Sequence, residues 1–240
     1  MNLQPQVQAL QEMIDRSHHI VAFTGAGCST ESGIPDFRSV DGLYHQKYDY
    51  PPEVMLSHTF YEKHPAEFFR FYRDKLLHLD AEPNAAHRKL AELEQAGKLD
   101  AVVTQNIDGL HQRAGSRVVY ELHGSVLRNF CERCKKAYPV EAVLDSTDVP
   151  RCGCGGRIKP DVVLYEEGLD SDTVSGAIQA ISRADMLIVG GTSLVVYPAA
   201  GLIQYYTGNR LVVINKSDVG VGADLVINGA IGEVLSQIQV

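Results

Sequence analysis

Four cysteines fall within 24 residues, as Cys131-x2-Cys134 and Cys152-x-Cys154, with 17 residues between the pairs. Thiolates at two such close spacings form the ligand set of a tetrahedral zinc. Four protein ligands close the coordination sphere, so this metal would hold structure and activate no water. The second pair is one residue shorter than CxxC, and Gly153, Gly155 and Gly156 around it allow the tighter bite. The opening segment MNLQPQVQALQEMIDRSHHI has neither the basic nor the apolar region of a secretion signal, which predicts a cytoplasmic chain whose reduced thiols favour zinc over disulfides. The fifth cysteine, Cys28, reads as a small buried filler.

A second group of residues could bind a nucleotide. Gly25-Ala26-Gly27-Cys28-Ser29-Thr30 follows the apolar run Ile20–Thr24, and small residues there let backbone N–H groups approach a pyrophosphate. Thr30 stands where the generic dinucleotide fingerprint has its third glycine, and no acidic residue ends a second strand about 20 positions later. A plain tight turn is therefore an equal reading of that motif by itself. Gln105-Asn106-Ile107-Asp108 sets two amides and a carboxylate after another apolar run. The carboxylate could bond a carboxamide and the Asn a ribose hydroxyl or a water, while Asp108 could also cap the helix that follows. His123 and Gly124 end the run Val118–Leu122, which places an imidazole, with an ordinary pKa of about 6.5, where it could take a proton. Gly191, Thr192, Ser193 and Asn215 close two further runs, and Pro35-Asp36-Phe37-Arg38 sets a ring and a guanidinium beside the glycine-rich turn.

These clusters need a scaffold that brings strand ends together. Runs at 20–24, 101–104, 118–122, 186–189 and 211–214 predict five strands, each stopping at polar residues. Helical patterns lie between them: Val7, Leu10 and Ile14 share one face, and Pro83-Asn84 opens a segment with Ala86, Leu90 and Leu93 in step before Gly97. Apolar strands alternating with helices predict an α/β fold with a parallel sheet covered on both faces, whose ligands bind at the carboxyl ends of the strands. Residues 36–80 and 126–159 interrupt the alternation. The first is expected to be a loop leading into a helix from Pro65, and the second a zinc ribbon.

The composition narrows the function classes. With 22 Lys+Arg against 30 Asp+Glu the net charge is −8, so the electrostatic footprint of a nucleic-acid or anionic-membrane binder is missing. The charge-free stretch from Met186 to Asn209 carries Gly190, Gly191, Pro198, Gly201 and Gly208, and reads as strand, polar loop and helix instead of a membrane span.

Taken in order, GAGCSTESGIPDFRS, TQNIDGLHQRAG, ELHGS, CxxC with CxC, KPDVVLYEE, GTSLVVYP and VVIN resemble the sirtuin family of NAD-dependent protein-lysine deacylases over essentially the whole chain. The resemblance implies a Rossmann-type doubly wound parallel sheet (1–35, 81–125 and 160–240), a cofactor loop with a helical module (36–80) and a zinc-binding module (126–159). It places NAD on Gly25, Ala26, Gly27, Ser29 and Thr30, on Pro35, Asp36, Phe37 and Arg38, on Gln105, Asn106, Ile107, Asp108 and His123, and on Gly191, Thr192, Ser193 and Asn215, with further contacts near 216–231. It makes His123, Asn106 and Asp108 the catalytic group and Cys131, Cys134, Cys152 and Cys154 the ligands of one structural Zn2+. The implied reaction gives free lysine, nicotinamide and O-acetyl-ADP-ribose: the acetyl-lysine oxygen attacks the ribose as nicotinamide leaves, and His123 then assists a ribose hydroxyl.

Asp161, Val162 and Val163 would pair with an acetylated protein segment as a strand. Tyr165-Glu166-Glu167 stands where many relatives have aromatic-Gly-Glu, adding an acid that suits cationic substrates. The loop SVDGLYHQKYDYPP lacks the Tyr-x-x-Arg pair of relatives preferring succinyl and malonyl groups, so a neutral acyl group is expected. A cytoplasmic monomer with no nucleic-acid or membrane partner completes the expectation. An ADP-ribosyltransferase or a non-catalytic NAD sensor on the same fold are the alternatives. A zinc hydrolase is opposed by four cysteine ligands.

Overall fold

The computed structural model describes residues 3–36 and 50–240. In chain order its elements are α1 (Gln4–Asp15), β1 (Ile20–Thr24), α2 (Pro52–Met55), α3 (His58–Lys63), α4 (Pro65–Lys75), α5 (Ala85–Gln95), β2 (Leu99–Thr104), α6 (Leu110–Ala114) and β3 (Val119–Glu121). There follow β4 (Gly124–Cys131), β5 (Ala137–Pro139), α7 (Glu141–Leu144), β6 (Ile158–Val162), α8 (Ser171–Arg183), β7 (Met186–Gly190), β8 (Leu211–Asn215), β9 (Leu225–Asn228) and α9 (Ile231–Leu235).

The larger sheet has the order β3-β2-β1-β7-β8-β9, with every pairing parallel. Counted among themselves these six strands run 3-2-1-4-5-6, the Rossmann order, and the reversal falls between β1 and β7. Alternation along β1 explains why both faces must be covered. Ile20 and Ala22 join Leu10, Ile14, Leu90 and Leu93 in one core, and Val21 and Phe23 join Ala177 and Ile181 in the other. The capping chemistry also matches the sequence. Asn84 accepts from Ala86 N and opens α5, Pro65 starts α4, and Gly97 has φ +71° just past α5.

The smaller sheet, β5-β4-β6, is antiparallel. It shares one core with the helical segment: Tyr61, Phe68, Phe69 and Tyr72 of α3 and α4 pack with Val126, Ile158 and Val162. Arg157 stitches the two parts together, donating to Glu62 and Glu132 with its guanidinium 4.0 Å from the Tyr61 ring. The segment from Met186 on is a strand, a loop and a 3-10 helix (Ala199–Tyr205). No helix among the described residues is long and apolar enough to cross a membrane.

Candidate active site

The chain ends of β1, β2 and β7 open into a cleft of about 1020 Å3, walled on its other side by residues 162–167. Close backbone approach shapes its floor. Gly27 N donates to Gly191 O at 2.7 Å, and a Cβ on Gly27 would lie 2.9 Å from Gly191 Cα. Gly191 sits at φ +61°, where a Cβ would fall 2.2 Å from Cys28 N. Side chains here would fill the cradle, so the glycines keep the two loops pressed together and the backbone bare, as an anionic pyrophosphate requires.

Above that floor the polar residues are tied to one another. Ser29 Oγ donates to Asp108 Oδ2 at 2.6 Å and accepts from Asn106 Nδ2 at 3.0 Å. Asp108 Oδ1 takes Leu110 N at 2.9 Å, so Asp108 faces the cleft and caps α6 at once. Thr192 Oγ1 donates to Gln105 Oε1 at 2.9 Å. That leaves Gln105 Nε2 buried without a protein partner in a residue that lines the cleft. Asn215 is held by Ser217.

His123 carries the acid–base capacity. Its Nδ1 lies 2.9 Å from the Gln105 carbonyl, which can only accept, so Nδ1 holds the proton and Nε2 is left as a base. Burial holds its pKa below the ordinary histidine range, against the raising effect of the Gln105 bond. The imidazole is therefore neutral at neutral pH.

Of the residues expected to meet NAD, Ala26, Gly27, Ser29, Thr30, Pro35, Asp36, Gln105, Asn106, Ile107, Asp108, His123, Gly191, Thr192, Ser193 and Asn215 line the cleft. Gly25 lies just behind it, its α-hydrogen side 2.8 Å from Thr192 Cβ were a Cβ added. Phe37, Arg38 and residues 39–49 of the loop that follows fall outside the described residues. On the peptide wall Val162 and Val163 line the cleft, whereas the Asp161 carboxylate is taken by Arg128 at 2.9 Å.

The same wall contains Leu164, Tyr165, Glu166 and Glu167. Glu166 adopts φ +76°, a conformation costly for a side chain other than glycine. Its carboxylate accepts from Thr59 Oγ1 at 2.7 Å and Thr59 N at 2.9 Å, and these bonds hold it below the usual carboxylate range. Glu166 thus fastens the wall to α3. Glu167 does the same through His58 Nδ1, Lys159 Nζ and Leu164 N.

The four ribbon cysteines fit a zinc ion. Their sulfurs all lie within 4.8 Å of one another, with Cys131 and Cys154 at 3.5 Å and Cys134 and Cys152 at 3.6 Å. Tetrahedral Zn–S bonds of about 2.3 Å put sulfurs about 3.8 Å apart, while a disulfide needs about 2.05 Å. The short CxC is accommodated by Gly155, at φ +85°, in a turn closed by Gly155 N to Cys152 O. Tyr138 donates its hydroxyl to Cys152 Sγ at 3.0 Å. Outer hydrogen bonds of this kind tune metal affinity by about 10- to 100-fold, so Tyr138→Phe is expected to speed zinc transfer to a chromogenic chelator roughly tenfold. Equal transfer rates would remove Tyr138 from the account.

A family model for the Sir2 family matches residues 25–198. The chain belongs to the Sir2 family. The NAD-dependent protein deacetylase of Clostridium acetobutylicum is 58% identical, covering 99% of this chain and 100% of that one. A solved Sir2 structure with p53 peptide and NAD+ superposes with TM-score 0.85 at 42% identity, covering 98% of this chain and 96% of the other. A variant Sir2 with deacetylated p53 peptide and 3′-O-acetyl-ADP-ribose gives TM-score 0.87 at 41% identity, with coverage of 98% and 96%.

Behind the cleft of this Sir2 chain lies a second cluster, Cys28, His87 and His111, all buried. Its protons are already committed. His87 Nδ1 accepts Asn84 N at 3.2 Å, so its proton sits on Nε2, 4.0 Å from Cys28 Sγ, and burial pushes the Cys28 thiol pKa up. Burial lowers His87 to about 4, partly opposed by Asp108, and lowers His111 well below its ordinary value, with His87 adding to the effect. The unfolded chain therefore binds protons that the native chain refuses between about pH 6.5 and 4, and stability falls as pH drops through that window. Thermal melts are expected to lose several degrees between about pH 7 and 5, with the loss reduced in His87→Gln. A pH-independent Tm would contradict it.

Proposed function

We propose that the chain is an NAD-dependent protein-lysine deacetylase, releasing lysine with nicotinamide and O-acetyl-ADP-ribose. The observation that carries this is a neutral His123 with Nε2 open as a base, at the edge of a dinucleotide-sized cleft beside Asn106 and Asp108. Membership of the Sir2 family supports it. NAD, when bound, supplies an electrophilic ribose carbon and a leaving nicotinamide. The bare backbone of residues 25–30, with Gly191, Thr192 and Ser193, would hold the pyrophosphate. Gln105, Asn106 and Asp108 would hold the carboxamide, ribose hydroxyls and water, and Asn215 the adenosine ribose. Phe37 and Arg38 would cover the cofactor. His123 Nε2 would take the proton of a ribose hydroxyl. Zinc on the four cysteines would hold the ribbon and stay out of the chemistry, since no ligand position is open.

The acetylated segment would lie along Asp161, Val162 and Val163. Val163 N, Leu164 N and Tyr165 N are bonded to His123 O, Glu167 Oε2 and Leu56 O, and the Val162, Leu164 and Tyr165 carbonyls accept from Lys159 Nζ, Glu167 N and His58 N, so much of this backbone is already engaged within the protein and held in an extended course. We further infer a cytoplasmic monomer in which 1–35, 81–125 and 160–240 form the NAD-binding part, 36–80 the cofactor loop and helical module and 126–159 the zinc part. Mass spectrometry of an acetyl-lysine peptide with and without NAD tests the activity. Acetyl loss only with NAD is expected, and loss without NAD would overturn it. NAD consumption with ADP-ribose left on the peptide would instead make the chain an ADP-ribosyltransferase.

A further inference from the structure

We propose that His111, which does not line the cleft, is a positioning residue that fixes Asn106 through two threonine hydroxyls. The proposal rests on the functional reading above, in which Asn106 faces NAD. His111 is in α6 and 1% exposed. Its Nε2 lies 3.0 Å from Thr24 Oγ1, Thr24 Oγ1 lies 2.9 Å from Thr104 Oγ1, and Thr104 Oγ1 accepts the Asn106 backbone N–H at 3.1 Å. The two threonines are register partners at the carboxyl ends of β1 and β2, so the parallel pairing itself sets their hydroxyls side by side.

Donor and acceptor capacity gives the relay a direction. Thr24 donates its proton to Thr104, so Thr24 Oγ1 is left to accept, and the proton of His111 sits on Nε2. His111 Nδ1 is then a bare acceptor, and it is buried without a partner. A cationic ring would have to bury an unmatched N–H there, against the His87 ring whose centroid is 4.7 Å away. The site therefore selects the neutral imidazole with its single N–H aimed at Thr24.

Asn106 is consequently gripped at two points. The relay holds its backbone N–H, and Ser29 Oγ holds its side-chain Nδ2. With both in place the amide has one position at the cleft; with the first removed it swings about the second. A core-filling role for His111 would make no use of its N–H. A phenylalanine would then serve as well as a glutamine.

The test compares Thr104→Val, His111→Phe and His111→Gln with the wild type in the zinc-loaded full chain. Stranding the Asn106 N–H in Thr104→Val, or leaving the Thr24 hydroxyl oxygen without its donor in His111→Phe, is expected to lower kcat about tenfold, with KM for the acetylated peptide within about twofold. His111→Gln, whose Nε2–H reaches Thr24, recovers most of the loss. Amide hydrogen exchange at Asn106 should speed up in Thr104→Val, a readout independent of any enzymatic activity. Equal impairment by Gln and Phe, an unchanged kcat in Thr104→Val, or unchanged exchange at Asn106 would overturn the positioning role. Absence of NAD-dependent turnover in the wild type would instead sink the functional reading, with Asn106 exchange then deciding the relay by itself.

Discussion

His123→Ala lowers kcat/KM for an acetyl-lysine peptide by about 1000-fold, in the range lost when a general base is removed. The fold should survive the change, because His123 is only partly buried and its side chain bonds to the Gln105 carbonyl. Tm and NAD binding are therefore the controls, expected to stay close to wild type. The pH profile carries the same prediction in the intact protein. A base works unprotonated, and burial holds His123 below the ordinary histidine value. The acid limb of kcat/KM should thus fall below about pH 6.5 and activity should persist into mildly acidic buffer. A limb centred above about pH 7 would mean that another group, or a cationic His123, governs the rate.

Zinc removal is the other large effect. Structural zinc sites contribute apparent binding free energies of about 10–16 kcal/mol to folding, and here Cys131 and Cys152 belong to the same core as Tyr61, Phe68, Phe69 and Tyr72. Loss of the ion should therefore reach α3 and α4 as well as the ribbon. Metal analysis should find one zinc per chain. Cys131→Ala, or treatment with a strong chelator, is expected to lower Tm by about 10 °C or more and to abolish turnover. A zinc-free chain with the wild-type melt would show that the thiols hold no structural metal.

The strands that build the cleft were legible because their apolar runs end abruptly in chemistry, and β1, β2, β3, β7 and β8 lie where those runs stand. Helix α5 was equally legible from Asn84 and its Ala86, Leu90, Leu93 spacing. The sixth strand, β9, was missed. It has four residues, and Val226 is 54% exposed, so neither length nor a continuous apolar run marks an edge strand of this kind. The short helices α2 and α3 were hidden for a similar reason, since one or two turns show no period.

At the site, strand periodicity decides what sequence order could not. Val162 turns into the shared core while the neighbouring Asp161 reaches Arg128, because successive side chains in β6 face opposite ways. Glu166 has a second role that charge alone does not show: its carboxylate is tied to Thr59 by neutral donors, which fasten the wall and leave it ionised. His111 left a weaker trace still, since one histidine on a short helix looks like packing until its partners are known.

The most direct test of the central claim is the stoichiometry of a single reaction with purified chain, acetyl-lysine peptide and NAD. Chromatography with mass detection should find one nicotinamide and one O-acetyl-ADP-ribose for every lysine freed, with no free acetate in the initial products. Acetate released while NAD remains intact would contradict the account, and would assign the deacetylation to hydrolysis instead of transfer to ribose.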